Sequence, residues 1–132
     1  MDFTYTETQD MIRDTLARFL GDTYGFETRQ KFIASEAGRD PGIWRAIAQD
    51  LGMLGASFAE EHGGLGGGAL ENAIIMEELG KVIAIEPYLS TVVIAGGALK
   101  AVGGAQADAM IPEIIAGNAI VAFAYAEPQG RY

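Results

Sequence analysis

The chain has no cysteine, and only one histidine and one tryptophan in 132 residues. Without cysteine there is no disulfide, no thiolate metal site and no cysteine nucleophile. A single histidine, His62, cannot build a histidine-based metal constellation, so no metal ligands are expected. Basic residues are scarce as well. Nine Lys+Arg face 18 Asp+Glu, for a net charge of −9. Cations scattered singly provide no face for phosphates, which excludes nucleic acid as an expected partner; the acidity reads as a solubility feature. Long apolar runs are missing too. The charge-free stretch Pro87 to Leu99 is thirteen residues long, short of the roughly twenty that a bilayer-spanning helix needs. The opening Met1-Asp2-Phe3-Thr4-Tyr5 has neither the basic nor the apolar region of a signal peptide. No membrane insertion is expected, and the expected location is cytoplasmic.

What remains is a chain that is 49% hydrophobic, which suits a single globular unit with a sizeable core. Its pattern is helical. Thr6-Glu7-Thr8-Gln9 has the spacing of a capping box, with Thr6 as N-cap and Gln9 reaching back. Ile12, Leu16, Phe19, Leu20 and Thr23 then share one helical face, and Arg13, Asp14 and Arg18 face water. A short second helix is expected over Glu27 to Ala34. Asp40-Pro41 supplies an N-cap followed by proline at the first helical position. It opens a helix in which Trp44, Ile47, Ala48 and Leu51 step i, i+3, i+4, i+7, with Gly52 as its left-handed stop.

A glycine-dense loop follows from Glu60 to Gly68, then a helix from Leu70 to Val82. Glu86-Pro87 starts another, Tyr88 to Val102, uncharged before Lys100 and apolar enough for the middle of a bundle. A last helix spans Ala107 to Ala116, expected to be irregular at Pro112 and closed by Gly117-Asn118. Glu77 and Glu78 are adjacent on a helix and so point about 100° apart; they cannot serve one substrate atom. Glu78 reads as exposed and Glu77 as hydrogen-bonded at a helix contact. The final segment differs in kind. Ile120-Val121-Ala122-Phe123-Ala124-Tyr125-Ala126 reads as a buried β-strand with no partner strand, followed by the turn Glu127-Pro128-Gln129-Gly130. The expected architecture is an all-α bundle of about six helices, residues 1–118, ending in the first strand of a β-domain, residues 119–132.

Four pieces stand in order: Trp44-x6-Leu51-Gly52, Glu60-Glu61-His62-Gly63-Gly64-Leu65-Gly66, Met76-Glu77-Glu78-Leu79-Gly80 and Ala124-Tyr125-Ala126-Glu127-Pro128. Each is weak alone. In this order, with helices between, the chain resembles the N-terminal helical domain of the acyl-CoA dehydrogenase family over essentially its whole length. Phe58-Ala59-Glu60-Glu61, Glu86-Pro87-Tyr88-Leu89 and Arg131-Tyr132 look most like the small-subunit branch of the pimeloyl-CoA dehydrogenases.

The resemblance implies FAD, an acyl-CoA substrate and dehydrogenation to the trans-2-enoyl-CoA. It also implies an electron-transfer flavoprotein as acceptor, and a homo- or heterotetramer. The family's glutamate base lies in a C-terminal domain, so no catalytic residue is nominated here. The helix Tyr88 to Leu99 matches the one that lines the family's acyl-chain cavity, which makes Leu89, Val92, Val93 and Gly96 the substrate-side candidates, with Gly96 giving the chain room. The terminal strand matches the family's flavin-side strand, which makes Phe123, Tyr125 and Ala126 the cofactor-side candidates. Where the family pattern has Thr, Gly and Ser, this chain has Ala126, Arg131 and Tyr132. Two hydroxyl contacts are thereby lost or altered, which fits a non-catalytic partner subunit of a heteromeric dehydrogenase. A cofactor-free helical interaction module is the reading from another class. By analogy with the family, the Gly63–Gly68 loop is a structural turn; His62 beside it has no Ser, Asp or Cys partner at recognisable spacing and reads as an exposed loop residue.

Overall fold

The computed structural model describes residues 4–126 and residue 130. Six helices carry the fold among these residues: α1 (Glu7–Thr23), α2 (Phe26–Ala34), α3 (Pro41–Arg45, continued by the π-wound turn Ala46–Asp50), α4 (Ala69–Lys81), α5 (π-wound over Leu89–Ala95, then α-helical over Gly96–Val102) and α6 (Ala105–Ile115). Short 3-10 turns at Met53–Gly55 and Glu60–His62 join α3 to α4.

α1 starts as its sequence directs. The Thr6 hydroxyl accepts from the Gln9 N–H at 3.3 Å, and the Gln9 side chain accepts from the Thr6 N–H at 3.0 Å. Ile12, Leu16 and Leu20 recur at four-residue spacing and are all buried, each worth about 1.5–3 kcal/mol of hydrophobic stabilisation. That face lies along α4, whose Ile74, Ile75 and Leu79 are buried. The two helix starts are also tied to each other: Gln9 Nε2 donates to Glu71 Oε1 at 2.8 Å, and the other Glu71 oxygen accepts from the Gly68 N–H at 2.6 Å. Both acceptor roles, the one to Gln9 first, hold the Glu71 carboxyl below its usual range.

The N-cap of α3 is Asp40, whose side chain accepts from the Gly42 N–H at 2.7 Å, with Pro41 in the first turn. Gly52 ends the helix pair in the left-handed region at φ 67°. Trp44 is buried, and its Nε1 donates to the Gly117 carbonyl at 3.2 Å, fastening α3 to the end of α6. α6 runs through Pro112 to Ile115 and buries Ala107, Ile111 and Ile114.

Three expectations change. Glu78 is buried, at 4% exposure, and Glu77 is the exposed one. The turn of α4 against the core decides this, and Lys81 Nζ, 2.6 Å from Glu78, neutralises the buried carboxylate. His62 is not an open loop residue; its ring is half-buried, 3.8 Å from Asp108 and 3.9 Å from Glu61. Residues 119–126 form neither helix nor strand, for among the described residues no strand lies beside them to complete a ladder. The expected turn at Glu127-Pro128-Gln129 and the departures at Arg131 and Tyr132 fall outside the described residues.

Candidate functional site

The Gly63–Gly68 loop is the most suggestive phosphate cradle in the sequence, and its N–H groups decide against that role. Gly64, Leu65, Gly66 and Gly67 donate to the carbonyls of Ala59, Gly55, Phe58 and Ala56 at 2.8–3.0 Å. A Cβ at Gly64 would lie 2.2 Å from the Phe58 carbonyl oxygen, and one at Gly67 would lie 2.5 Å from that of Ala56. The glycines are there because two backbone segments touch. With its donors consumed, the loop is a structural clasp.

α5 is the central element of the site. It begins at Pro87-Tyr88, where the Tyr88 ring is fully buried and its hydroxyl donates to Asn72 Oδ1 at 2.9 Å. Burial pushes that phenol well above its usual range. Over Leu89–Ala95 the helix is π-wound. The buried face keeps i, i+3, i+4, i+7 spacing through Tyr88, Thr91, Val92 and Ala95, one residue earlier than the expected Leu89, Val92, Val93 and Gly96. Leu89 is therefore largely exposed, Val93 half-buried, and Val92 and Gly96 buried. Nor does Gly96 open onto free space: a Cβ there would lie 2.6 Å from Phe58 Cζ. The notch expected to admit a substrate is filled by the ring of Phe58, itself fully buried. Lys100, one turn on, donates to the Ser57 carbonyl at 2.5 Å and sits 5.7 Å from the Phe58 ring centroid, holding that ring in the notch.

Beside α5 runs the 119–126 segment. Val121, Ala122 and Phe123 join Ala95, Leu99 and Val102 around an apolar hollow of about 240 Å³. The Phe123 ring stands half in solvent, and Tyr125 is 75% exposed; Ala126 is exposed beside them. Among the described residues the only hydrogen bonds of 120–126 are two at Val121, both with the Thr91 hydroxyl. Free backbone donors and acceptors next to exposed aromatic rings are the parts that a flat ring system contacts, so the segment is compatible with flavin. The structure thus places the three cofactor-side candidates together on one exposed run and divides the four substrate-side candidates between core and surface.

Sequence reasoning missed Thr91 and Glu86. Thr91 stood beside Ser90 in a mostly apolar stretch, and nothing in the sequence separates the two hydroxyls. Glu86 is 8% exposed with neither carboxylate oxygen hydrogen-bonded, and Arg39 Nη1 is buried without a partner. Burial raises the Glu86 carboxyl above its usual range; the neighbouring Tyr24 hydroxyl and the Arg39 charge pull it back. Tyr24 lies outside hydrogen-bonding geometry to that carboxylate and instead accepts from the Ile85 N–H at 3.0 Å. Among the described residues no histidine–carboxylate cluster can hold a metal ion, and no helix is long and apolar enough to cross a membrane.

The family model described as "Acyl-CoA dehydrogenase, N-terminal domain" matches residues 6–118. The chain belongs to the acyl-CoA dehydrogenase family. It is 33% identical over 118 residues to the acyl-CoA dehydrogenase IpdE2 of Mycobacterium tuberculosis, covering 89% of this chain and 36% of that protein. Among solved structures it is similar to the ChsE4-ChsE5 complex from Mycobacterium tuberculosis, with a TM-score of 0.87 and 28% identity over 100% of this chain and 36% of the other. It is also similar to the Tcur3481-Tcur3483 steroid ACAD G363A variant, with a TM-score of 0.78 and 26% identity over 84% of this chain and 30% of the other. The chain spans about a third of the length of these relatives. The bundle is this family's N-terminal helical domain, and the family's members are as a rule FAD-dependent oxidoreductases.

Proposed function

We propose that this chain is the N-terminal part of a flavin-dependent enzyme that dehydrogenates an acyl-CoA thioester to the trans-2-enoyl-CoA. In this reading residues 1–118 are the helical domain and 119–132 begin a β-domain. The observation that carries it is the match of residues 6–118 to the family's N-terminal domain model. When bound, FAD would supply the hydride acceptor. The chain's own part is to shape the site. Phe123, Tyr125 and Ala126 offer exposed rings and unused backbone groups to one edge of the flavin. Leu89 and Val93 offer apolar surface to the hydrocarbon chain, where each buried methylene contributes about 0.8 kcal/mol. Val92 and Gly96 support that wall from the core side. The catalytic base is assigned to no residue of this chain, and the electron acceptor that fits the family is an electron-transfer flavoprotein.

A second reading is favoured by a specific observation: a solved structure similar to this chain over its whole length is a complex of two proteins. In that reading this chain belongs to a non-catalytic subunit of a heterotetramer, and Ala126, where the family has threonine, reflects a flavin contact supplied by the partner. One experiment separates the two. The whole protein, alone and with its partner subunit, is assayed for a flavin spectrum and for acyl-CoA-dependent reduction of a dye. Activity alone supports the first reading, and activity only with the partner supports the second. No flavin and no turnover in either preparation overturns both.

A further inference from the structure

Thr91 lies fully buried in the π-wound half of α5. Its main chain is already satisfied by the helix: its N–H donates to the Pro87 carbonyl at 2.9 Å, and its C=O accepts from the Gly96 N–H. A helical threonine commonly turns its hydroxyl back to the carbonyl four residues earlier. This one does not. It accepts from the Val121 N–H at 3.2 Å and donates to the Val121 carbonyl at 3.1 Å. A single side chain thereby satisfies both polar groups of one residue in a segment that has no strand partner. Among the described residues nothing else hydrogen-bonds 120–126. The contact is the fixed point from which Phe123 and Tyr125 are carried, two and four residues further on.

We propose that Thr91 is a positioning residue that sets the height and register of the 120–126 segment on α5, and so the placement of the flavin-side edge relative to the hydrocarbon wall. The flavin consequence rests on the function proposed above; the pinning itself does not. Val121 and Phe123 border the same apolar hollow as Ala95 and Leu99 of α5, so a slip at Val121 would shift that whole boundary. Apolar contacts alone do not define register, because they are non-directional. Two hydrogen bonds made by one buried hydroxyl do, since each weakens steeply with angle and distance. Valine has nearly threonine's shape without the hydroxyl, and serine keeps the hydroxyl without the methyl, so the pair of variants isolates the bonds.

The first arm of the test measures amide hydrogen exchange in the 132-residue chain. In the wild type the Val121 amide should exchange more slowly than those of Ala122 and Phe123. Thr91→Val should speed Val121 exchange by about 5- to 30-fold, the factor expected for one or two net hydrogen bonds, with the amides of α1 unchanged. Thr91→Ser should restore the protection. A wild-type Val121 amide as fast as that of Phe123 would overturn the proposal, even if Thr91→Val failed to fold. The second arm uses the whole flavin-loaded protein. Thr91→Val should shift the flavin absorption band and raise the flavin Kd by about 5-fold or more, a cost of about 1 kcal/mol, and Thr91→Ser should return both toward wild type. An unchanged band and Kd in Thr91→Val would overturn the positioning role. A whole protein that takes up no flavin, alone or with its partner subunit, would overturn only the function reading, because Val121 exchange still decides the pinning.

Discussion

Trp44 and Glu71 show how single side chains join elements distant in sequence. Trp44 fills the space between α3 and α6 and spends its one donor on Gly117. Trp44→Ala should cost about 3–5 kcal/mol, out of the roughly 5–15 kcal/mol such domains possess. Thermal unfolding followed by circular dichroism measures it, and an unchanged Tm would show that the contact does not support the fold. Glu71 and Glu86 make opposite contributions with pH. The Glu71 carboxyl is held low by Gln9 and the Gly68 N–H. Its stabilisation is thus present above the ordinary glutamate range and is lost as pH falls through its depressed folded value. The Glu86 carboxyl is raised by burial, so its stabilisation is complete below the ordinary range and is lost as pH rises through the raised folded value. Stability measured against pH for Glu71→Gln should lose part of the acid-side fall, whereas Glu86→Gln should hold stability better than wild type on the alkaline side. Curves that superimpose on wild type would refute both assignments. The exchange of roles between Glu77 and Glu78 belongs to this scale: adjacent glutamates are alike in sequence, and only the helix's orientation on the core separates them.

Among the elements, α5 departs most from its sequence pattern. Its buried face has ordinary helical spacing, Tyr88, Thr91, Val92 and Ala95, but is rotated by one residue from the expected one, so Leu89 reaches the surface while Thr91 turns inward. Gly96→Leu should destabilise the domain by at least the usual 1–3 kcal/mol or so of overpacking, because its side chain would meet Phe58. Phe58→Leu in the same chain should recover part of that loss. A double-mutant cycle of unfolding free energies tests the coupling, and strict additivity would place Phe58 elsewhere. Leu89 gives the complementary test in the whole enzyme. Because it is exposed in this domain, Leu89→Asp should leave stability nearly unchanged. If the residue faces the acyl chain, long acyl-CoAs should lose roughly 5- to 100-fold in kcat/KM while short ones lose little. A uniform loss across chain lengths would remove it from the substrate wall.

At the scale of the whole molecule, Phe123 and Val102, which border one apolar hollow, and Tyr125, two residues beyond Phe123, are exposed large side chains. Such groups suit contact with further protein. Expressed by itself, the 132-residue chain should fold as a helical bundle yet be colourless and without dehydrogenase activity, since most of a bound flavin would stay uncovered. An absorption spectrum of the purified chain after incubation with FAD and gel filtration checks this. A stoichiometric flavin band would show that this domain holds the cofactor by its own contacts.

The sequence alone determined the family, the number and order of the helices, both N-caps at Thr6 and Asp40, the Gly52 stop and the burial of Trp44. All of these depend on residue type at short spacing: a hydroxyl or carboxylate two or three residues from the N–H it caps, a glycine where φ is positive, apolar residues one turn apart. Tertiary structure decided which of Glu77 and Glu78 is buried, which face of α5 turns inward, the filling of the Gly96 notch by Phe58 and the pinning of Val121 by Thr91. The last two are contacts between residues tens of positions apart, and the first two depend on how a helix is turned against the core. Local periodicity is blind to such contacts, because close packing lets the neighbour across the core, and not the neighbour in sequence, choose where a side chain goes.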